Sequence, residues 1–329
     1  MPDTRPESAL PFHRRWPSLQ AMPLPQHRLL YLPIAKNACT SLKRLTVELS
    51  PLPAARKAEI LHDVHTVTDT EATGLQLKDH DAAAAAGFLA EPGWMRFAVL
   101  RDPHDRLVSA YVEKFVIRRE RKGLSTAPVV AAVQGCAPED ADLGRGVRFR
   151  DFLAHVLASP AESLDPHWRP QIHSFAEIAC THLYAMEHLD LLAADLSGRL
   201  GQTVTIGAHN RARPVPDRLV PEAATLWPEE IAEPSRIDPA SFYDAESRAL
   251  VARYFAADLT LHRSVLAENR ARVALAESMS QAPASGPAPT PAPAPDAAVA
   301  PRPWRKRLSL NGLRRLAGRP AAPGGPKTG

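Results

Sequence analysis

The chain has 329 residues, 45% of them hydrophobic and 23% charged, ordinary globular values that exclude a wholly disordered or fibrous polypeptide. No apolar run reaches the roughly 18 residues of a membrane-spanning helix. The formal charge of +4 misleads: eight basic residues and no acid follow Asp296, leaving 32 basic against 36 acidic residues in 1–296, a mildly acidic body that argues against a nucleic-acid-binding domain.

Residues 1–27 read as an N-terminal extension without the basic-then-apolar pattern of a secretory signal. Three cysteines, Cys39, Cys136 and Cys180, show no metal-ligand spacing, so neither a disulfide scaffold nor a bound metal is expected, and a reducing cytoplasm fits. His27 to Ile34 is a short apolar run predicting a buried strand. A polar turn, Lys36 to Ser41, leads into a helix carrying Leu42, Leu45 and Leu49, with Thr40 or Ser41 as its cap and Ser50-Pro51 as its stop. Asp81 to Ala90 predicts an alanine-rich helix. Arg96 to Leu100 predicts a second strand, followed by Arg101-Asp102-Pro103 and a helix to about Arg119. His182 to Met186 reads as a third strand, with its helix over Leu189 to Leu200. Residues 117–149 and 201–240 read as irregular, the kind of loop that forms an acceptor wall. Ser241 to His262 predicts the last long helix, and the folded domain spans 28–272. Strands alternating with helices predict an α/β layered fold with a mostly parallel central sheet.

Beyond that domain the composition changes. Residues 273–303 end in alternating Ala and Pro, an extended linker that cannot bury a core. Residues 304–329 set Trp304, Leu308, Leu313 and Leu316 among arginines. That pattern suits a short helix lying on an anionic membrane surface, but Gly312 inside it makes a solubilising tail the plainer reading.

Two strand-to-helix turns concentrate the chemistry. In the first, Lys36 precedes Asn37, Ala38, Cys39, Thr40 and Ser41 at a helix start, where free amides, the helix dipole, a full positive charge and two hydroxyls favour a phosphate. The turn holds no glycine and is not a Walker A loop, which counts against an ATP-driven kinase; a solvated lysine in a capped turn is the plainer reading. In the second, Arg101 leaves a strand end and Ser109 follows about two helical turns later, a pair able to clamp a second phosphate. The plainer alternative is an Arg101–Asp102 or Arg106–Asp102 pair locking the turn.

Taken together and in this order, the turns resemble PAPS-dependent sulfotransferases of the carbohydrate branch (sulfotransferase family 2). Ile34-Ala-Lys-Asn-Ala-Cys-Thr-Ser41 looks like that family's 5′-phosphosulfate loop, and Arg101 to Tyr111, RDPHDRLVSAY, matches its 3′-phosphate motif at every fixed position. Similarity continues in His167-Trp168-Arg169-Pro170-Gln171, Tyr184 to Asp190, Asn210 and Phe242-Tyr243-Asp244, covering residues 28–262. Ala35 departs from the usual proline. The resemblance implies a P-loop-NTPase-like fold, PAPS (3′-phosphoadenosine 5′-phosphosulfate) as sulfuryl donor, PAP as product, no metal, and a carbohydrate or glycolipid acceptor.

It further implies that Lys36 meets the bridging oxygen, that residues 37–41 hold the 5′-phosphate, and that Arg101 and Ser109 hold the 3′-phosphate. For the general base, His80 resembles the catalytic histidine of uronyl 2-O-sulfotransferases, and His167 belongs to the His-Trp element of the carbohydrate branch. His62 and His65 read as surface residues, Glu187 as a helix cap, and Cys39 as a small packing group. The alternatives are a P-loop-like kinase and a non-catalytic nucleotide-binding protein tethered by its basic tail.

Overall fold

Four short strands form one sheet in the order β1-β2-β3-β4, in a computed structural model that describes residues 10–120, 126–207 and 218–281, all within a compact unit ending at Ser285. The strands are β1 (Met22–Leu24), β2 (Leu29–Tyr31), β3 (Met95–Leu100) and β4 (His182–Ala185). β2, β3 and β4 run parallel, with Tyr31 opposite Phe97 and Phe97 opposite His182, while β1 pairs antiparallel to β2. The predicted α/β layered fold with a mostly parallel sheet is therefore present. β3 is buried along nearly its whole length, as expected of a Phe-Ala-Val-Leu run covered on both faces. The sequence reading missed β1: residues 22–24, assigned to an extension, add a strand to the sheet.

Ten helices connect and cover these strands among the described residues: α1 (Cys39–Leu49), α2 (Ala54–His62), α3 (Val64–Thr70), α4 (Ala82–Ala90), α5 (Pro103–Tyr111), α6 (Ala127–Gln134), α7 (Phe149–Ala158), α8 (Leu189–Leu200), α9 (Ala245–Tyr254) and α10 (Ala256–Gln281). α5 continues as a π-helical turn, Val112–Ile117, so the helix expected to run to Arg119 changes its winding midway. α6 occupies part of 117–149, where an irregular stretch was expected, and buries Val129 and Val130. Residues 273–281, assigned to the linker, are helical as the end of α10, because their alanines and long side chains continue the helix before the prolines begin. Asn210 and all residues after 281, including the rest of the proline-rich linker and the basic tail, lie outside the described residues. No described helix is long and apolar enough to cross a membrane.

Apolar side chains gather into two clusters. One packs the sheet residues Met22, Leu29, Tyr31 and Phe97 against Leu42 and Leu45 of α1, Ile60 of α2 and Leu192 of α8. The other surrounds Tyr111, whose ring meets Phe115, Phe149, Phe152 and Phe242 and whose hydroxyl donates to Val147 O at 3.0 Å. Trp168 belongs to this second cluster and is 1% exposed.

The last helix differs most from expectation. Asp244 caps α9 by accepting from Ser247 N at 2.7 Å, and the chain breaks at Phe255 before α10 begins. The helix expected to end at His262 continues to Gln281, and this extension of α10 holds the open edge of β4. Asn269 Oδ1 accepts from Ala185 N at 2.8 Å and its Nδ2 donates to Leu183 O at 3.2 Å, replacing the strand that β4 lacks on that side. Asn269 is 1% exposed, so both peptide groups would be buried unpaired without it. Asn269→Ala is expected to lower the unfolding free energy by roughly 2–4 kcal/mol. Urea titration followed by circular dichroism checks this, and an unchanged midpoint refutes it.

Candidate functional site

The β2–α1 turn adopts a phosphate-loop shape without glycine, and its shape is imposed from outside. Lys36 and Ala38 have φ of 71° and 57°, left-handed values that L-residues adopt at a cost of the order of 1–3 kcal/mol each. Asn37 between them is buried and donates Nδ2 to Val99 O at 2.8 Å and to Gln171 Oε1 at 2.5 Å. Arg106 Nε donates to Ala35 O at 2.9 Å, and Arg101 Nη1 donates to Lys36 O at 3.2 Å. Ala38, in the left-handed conformation, is the N-cap of α1 and makes no side-chain cap bond, so neither Thr40 nor Ser41 caps the helix. Both lie in its first turn, where the amides precede the intrahelical bond from Leu42 N to Ala38 O. Thr40 Oγ1 instead pairs with His65 Nε2 at 2.8 Å, which brings His65 off the surface and against the loop; His62 is exposed as expected.

Cys39 shares this corner. Burial pushes its thiol up, but the hydrogen bond and charge of His65, together with Lys36, outweigh it and bring the value down to about 7.

Arg101 stands at the end of β3 beside this turn. Gln171 fixes its peptide: Arg101 N donates to Gln171 Oε1 at 3.1 Å, and Gln171 Nε2 donates to Arg101 O at 2.9 Å. Buried Asp258 fixes Gln171 in turn, accepting from Gln171 N at 2.7 Å and from Ile172 N at 3.0 Å. No carboxylate lies within 4.0 Å of the Arg101 guanidinium among the described residues, so the locking pair with Asp102 is not formed. Burial lowers the arginine's pKa, and Asp105, Glu187 and Asp102 raise it at longer range. Asp102 caps α5 instead, accepting from His104 N at 2.8 Å. Nor does Arg106 pair with it. Arg106 is 2% exposed and spends its remaining donors on Arg169 O and Pro166 O, at 2.8 and 2.7 Å. Ser109 lies on α5, half-buried, and its hydroxyl has no partner among the described residues.

Two carboxylates not foreseen from sequence, Glu113 and Asp165, complete the site. Lys36 Nζ donates to Glu113 Oε2 at 2.6 Å, from the π-helical turn. Burial alone would raise the Glu113 carboxyl, but the charge and hydrogen bond of Lys36, with Lys114 and Arg118, hold it at about 2. Asp165 binds His167 twice, accepting from its peptide N at 2.8 Å and meeting Nδ1 at 2.6 Å. Burial lowers the His167 pKa more than Asp165 raises it, with Lys114 lowering and Glu113 raising it at longer range. The Pro166–Arg169 segment is tied to the β2–α1 turn through Arg106, which also bonds Ala35 O.

His80 has a different setting. Its ring packs edge-on against Phe88 at 5.1 Å, and its Nε2 is buried without a partner among the described residues. Glu187 does not cap α8; its carboxylate meets His262 Nε2 at 3.3 Å. Asp165-Pro166-His167 carried a readable signal, an aspartate two residues before a histidine. Glu113 carried none, because its partner Lys36 is 77 residues away in the chain and only tertiary packing brings the two together.

The described residues thus join Lys36, residues 37–41 and Arg101 into one polar surface at the C-terminal edge of the parallel strands, with His167 and Asp165 beside it. Comparison with known proteins agrees in kind. The sulfotransferase family model matches residues 20–217. Carbohydrate sulfotransferase 14 of Mus musculus is 30% identical over 151 residues, covering 45% of this chain and 37% of that protein. Carbohydrate sulfotransferase 8 of Homo sapiens is 30% identical over 151 residues, covering 44% and 33%, and carbohydrate sulfotransferase 9 of Homo sapiens is 32% identical over 152 residues, covering 44% and 32%. The matched stretch spans about a third of each of these relatives. No solved structure matches the chain. None of these matches supports a kinase. With its paired cationic turns and a family match over most of its described length, this chain belongs to the sulfotransferase family.

Proposed function

We propose that the chain transfers the sulfuryl group of PAPS to a carbohydrate hydroxyl. The observation that carries this reading is the bond from Arg101 Nη1 to Lys36 O, which sets the two cationic turns side by side as one receptor for a donor with two phosphates. The amides of residues 37–41 and the Lys36 ammonium take the 5′-phosphosulfate, while Arg101 and Ser109 take the 3′-phosphate. In the reaction the acceptor oxygen forms a bond to sulfur as the bond from sulfur to the bridging oxygen breaks. The acceptor proton passes to a base, and PAP leaves with the added charge stabilised by Lys36.

His167 is the base in this reading. Asp165 occupies Nδ1, which leaves Nε2 to take the proton and settles the ring's tautomer and direction. His80 would first have to expose its buried Nε2. The carbohydrate sulfotransferases among the relatives support a sugar hydroxyl as acceptor.

Calorimetry with PAP and with AMP, which lacks the 3′-phosphate, tests the donor site. PAP is expected to bind at least about tenfold tighter, and Arg101→Ala is expected to abolish the difference; equal affinities in the wild type refute the reading. Lys36→Ala should slow transfer of labelled sulfate by about 10²–10³.

A pH profile tests the base. Because the His167 pKa lies below its ordinary value, the ring is neutral at pH 7, and kcat/KM should fall only as acid carries the pH down through that lowered value. His167→Gln should cost roughly 10²–10⁴ in rate. Asp165→Asn removes the neighbour that raises the pKa, so the acid limb should move to still lower pH while the neutral rate drops. An unmoved limb would exclude His167 as the group titrating.

A further inference from the structure

Glu113 sits on the π-helical end of α5 with its two carboxylate oxygens facing different cations. Oε2 accepts from Lys36 Nζ at 2.6 Å, and Oε1 lies 3.3 Å from Arg118 Nη1 and 3.9 Å from Lys114 Nζ. The lysine is the inward partner, with its side chain 14% exposed, whereas Arg118 is 52% exposed. Glu113 and Lys114 lie within the π-helical turn Val112–Ile117, and Arg118 follows as its C-cap. Two of the three cations around the carboxylate therefore belong to its own turn and stay with it whatever Lys36 does.

This asymmetry matters for an anion that needs Lys36. A buried carboxylate stripped of its sole partner is strongly destabilising, and such a lysine would be hard to detach. Glu113 keeps Arg118 and Lys114, so Lys36 can change partners without leaving an uncompensated buried charge. While Lys36 is its partner the carboxyl is held at about 2, so Glu113 is a charged competitor for the ammonium over the whole neutral range.

We propose that Glu113 is a positioning residue that competes with the sulfuryl donor for Lys36: the ammonium passes from Glu113 Oε2 to the donor's 5′-phosphosulfate oxygens, while Glu113 remains held by Arg118 and Lys114. No bond is made or broken in this exchange; one ion pair replaces another. The inference rests on the donor-site reading above. It makes Glu113 a determinant of donor affinity by charge competition, in addition to any effect on the fold.

A double-mutant cycle read by PAP calorimetry on the full chain separates the exchange from a general field effect. Glu113→Gln, which keeps the side chain's size, should bind PAP about tenfold tighter than wild type, the coupling expected of a contacting charged pair. In a Lys36→Met background the same substitution should change PAP affinity less than about twofold, because the contested cation is gone. Glu113→Asp, retaining the carboxylate, should return the affinity towards wild type.

Equal tightening in both backgrounds would mean that only the removed negative charge matters, and would overturn the proposal. So would an unchanged affinity in Glu113→Gln, or a Glu113→Asp chain indistinguishable from it, while wild-type PAP binding keeps the donor site intact. A wild-type chain that fails to bind PAP would overturn the donor-site reading itself, and the exchange with it.

Discussion

The carbonyl oxygens of Ala35 and Lys36 accept hydrogen bonds from Arg106 and Arg101, and on these two bonds the geometry of the whole site depends. A phosphate-binding turn needs its backbone amides to converge, which commonly calls on glycine because left-handed conformations disfavour a Cβ. This turn has none. Lys36 and Ala38 take positive φ regardless, since the following strand-to-helix turn holds their neighbours. Asn37 bridges Val99 O and Gln171, Arg106 ties Ala35 to Pro166 and Arg169, and Arg101 reaches Lys36. The strain is local and the support is tertiary, so loop and support form together.

Ala35 can be understood in the same terms. A proline there would stiffen the approach to the lysine by fixing φ. Here the constraint acts on the carbonyl instead, through a guanidinium that is 2% exposed and whose pKa burial lowers to about 10. Arg106 is therefore part of the scaffold rather than a ligand group, which explains why a position fixed within the second motif shows almost no surface. Gln171 has a comparable part at the other end of the His-Trp element. It receives Asn37 and the Arg101 peptide on one side and Asp258 on the other, so α10 is coupled to both turns through a single amide.

The sequence carried those parts of the site whose chemistry is local. Strand-to-helix turns bearing Lys36 and Arg101 could be read because the signal is a short apolar run followed by charge, and the run is what buries β2 and β3. The Asp165–His167 contact was within reach for the same reason, being two residues long. Groups whose role depends on winding or on distant packing could not be read. Glu113 reaches Lys36 only because the end of α5 packs beside the β2–α1 turn; His65 touches Thr40 only because α3 folds back on α1. β1 is three residues long with Pro23 at its centre, which argues against a strand except at an edge, where it is found. The long reach of α10 was hidden for a different reason: Asn269 satisfies a sheet edge with one polar side chain, and no hydrophobic pattern records that.

The carboxylates around Arg101 clarify how a strongly cationic function coexists with a mildly acidic body. Asp102, Asp105 and Glu187 all act on the Arg101 charge, yet none comes within ion-pairing distance of it. Each is occupied or restrained elsewhere: Asp102 by the α5 cap and the His104 ring, Glu187 by His262, and Asp105 by burial that pushes its carboxyl up. At that range they offset the cost of burying a guanidinium while its forked donors stay available. A direct ion pair would have lowered that cost further and blocked the donors. Lys36 follows the opposite design, with a carboxylate in direct contact. The two ends of the proposed donor site therefore differ in kind: one cation is kept unpaired by geometry, and the other is kept paired to a carboxylate that has partners to spare.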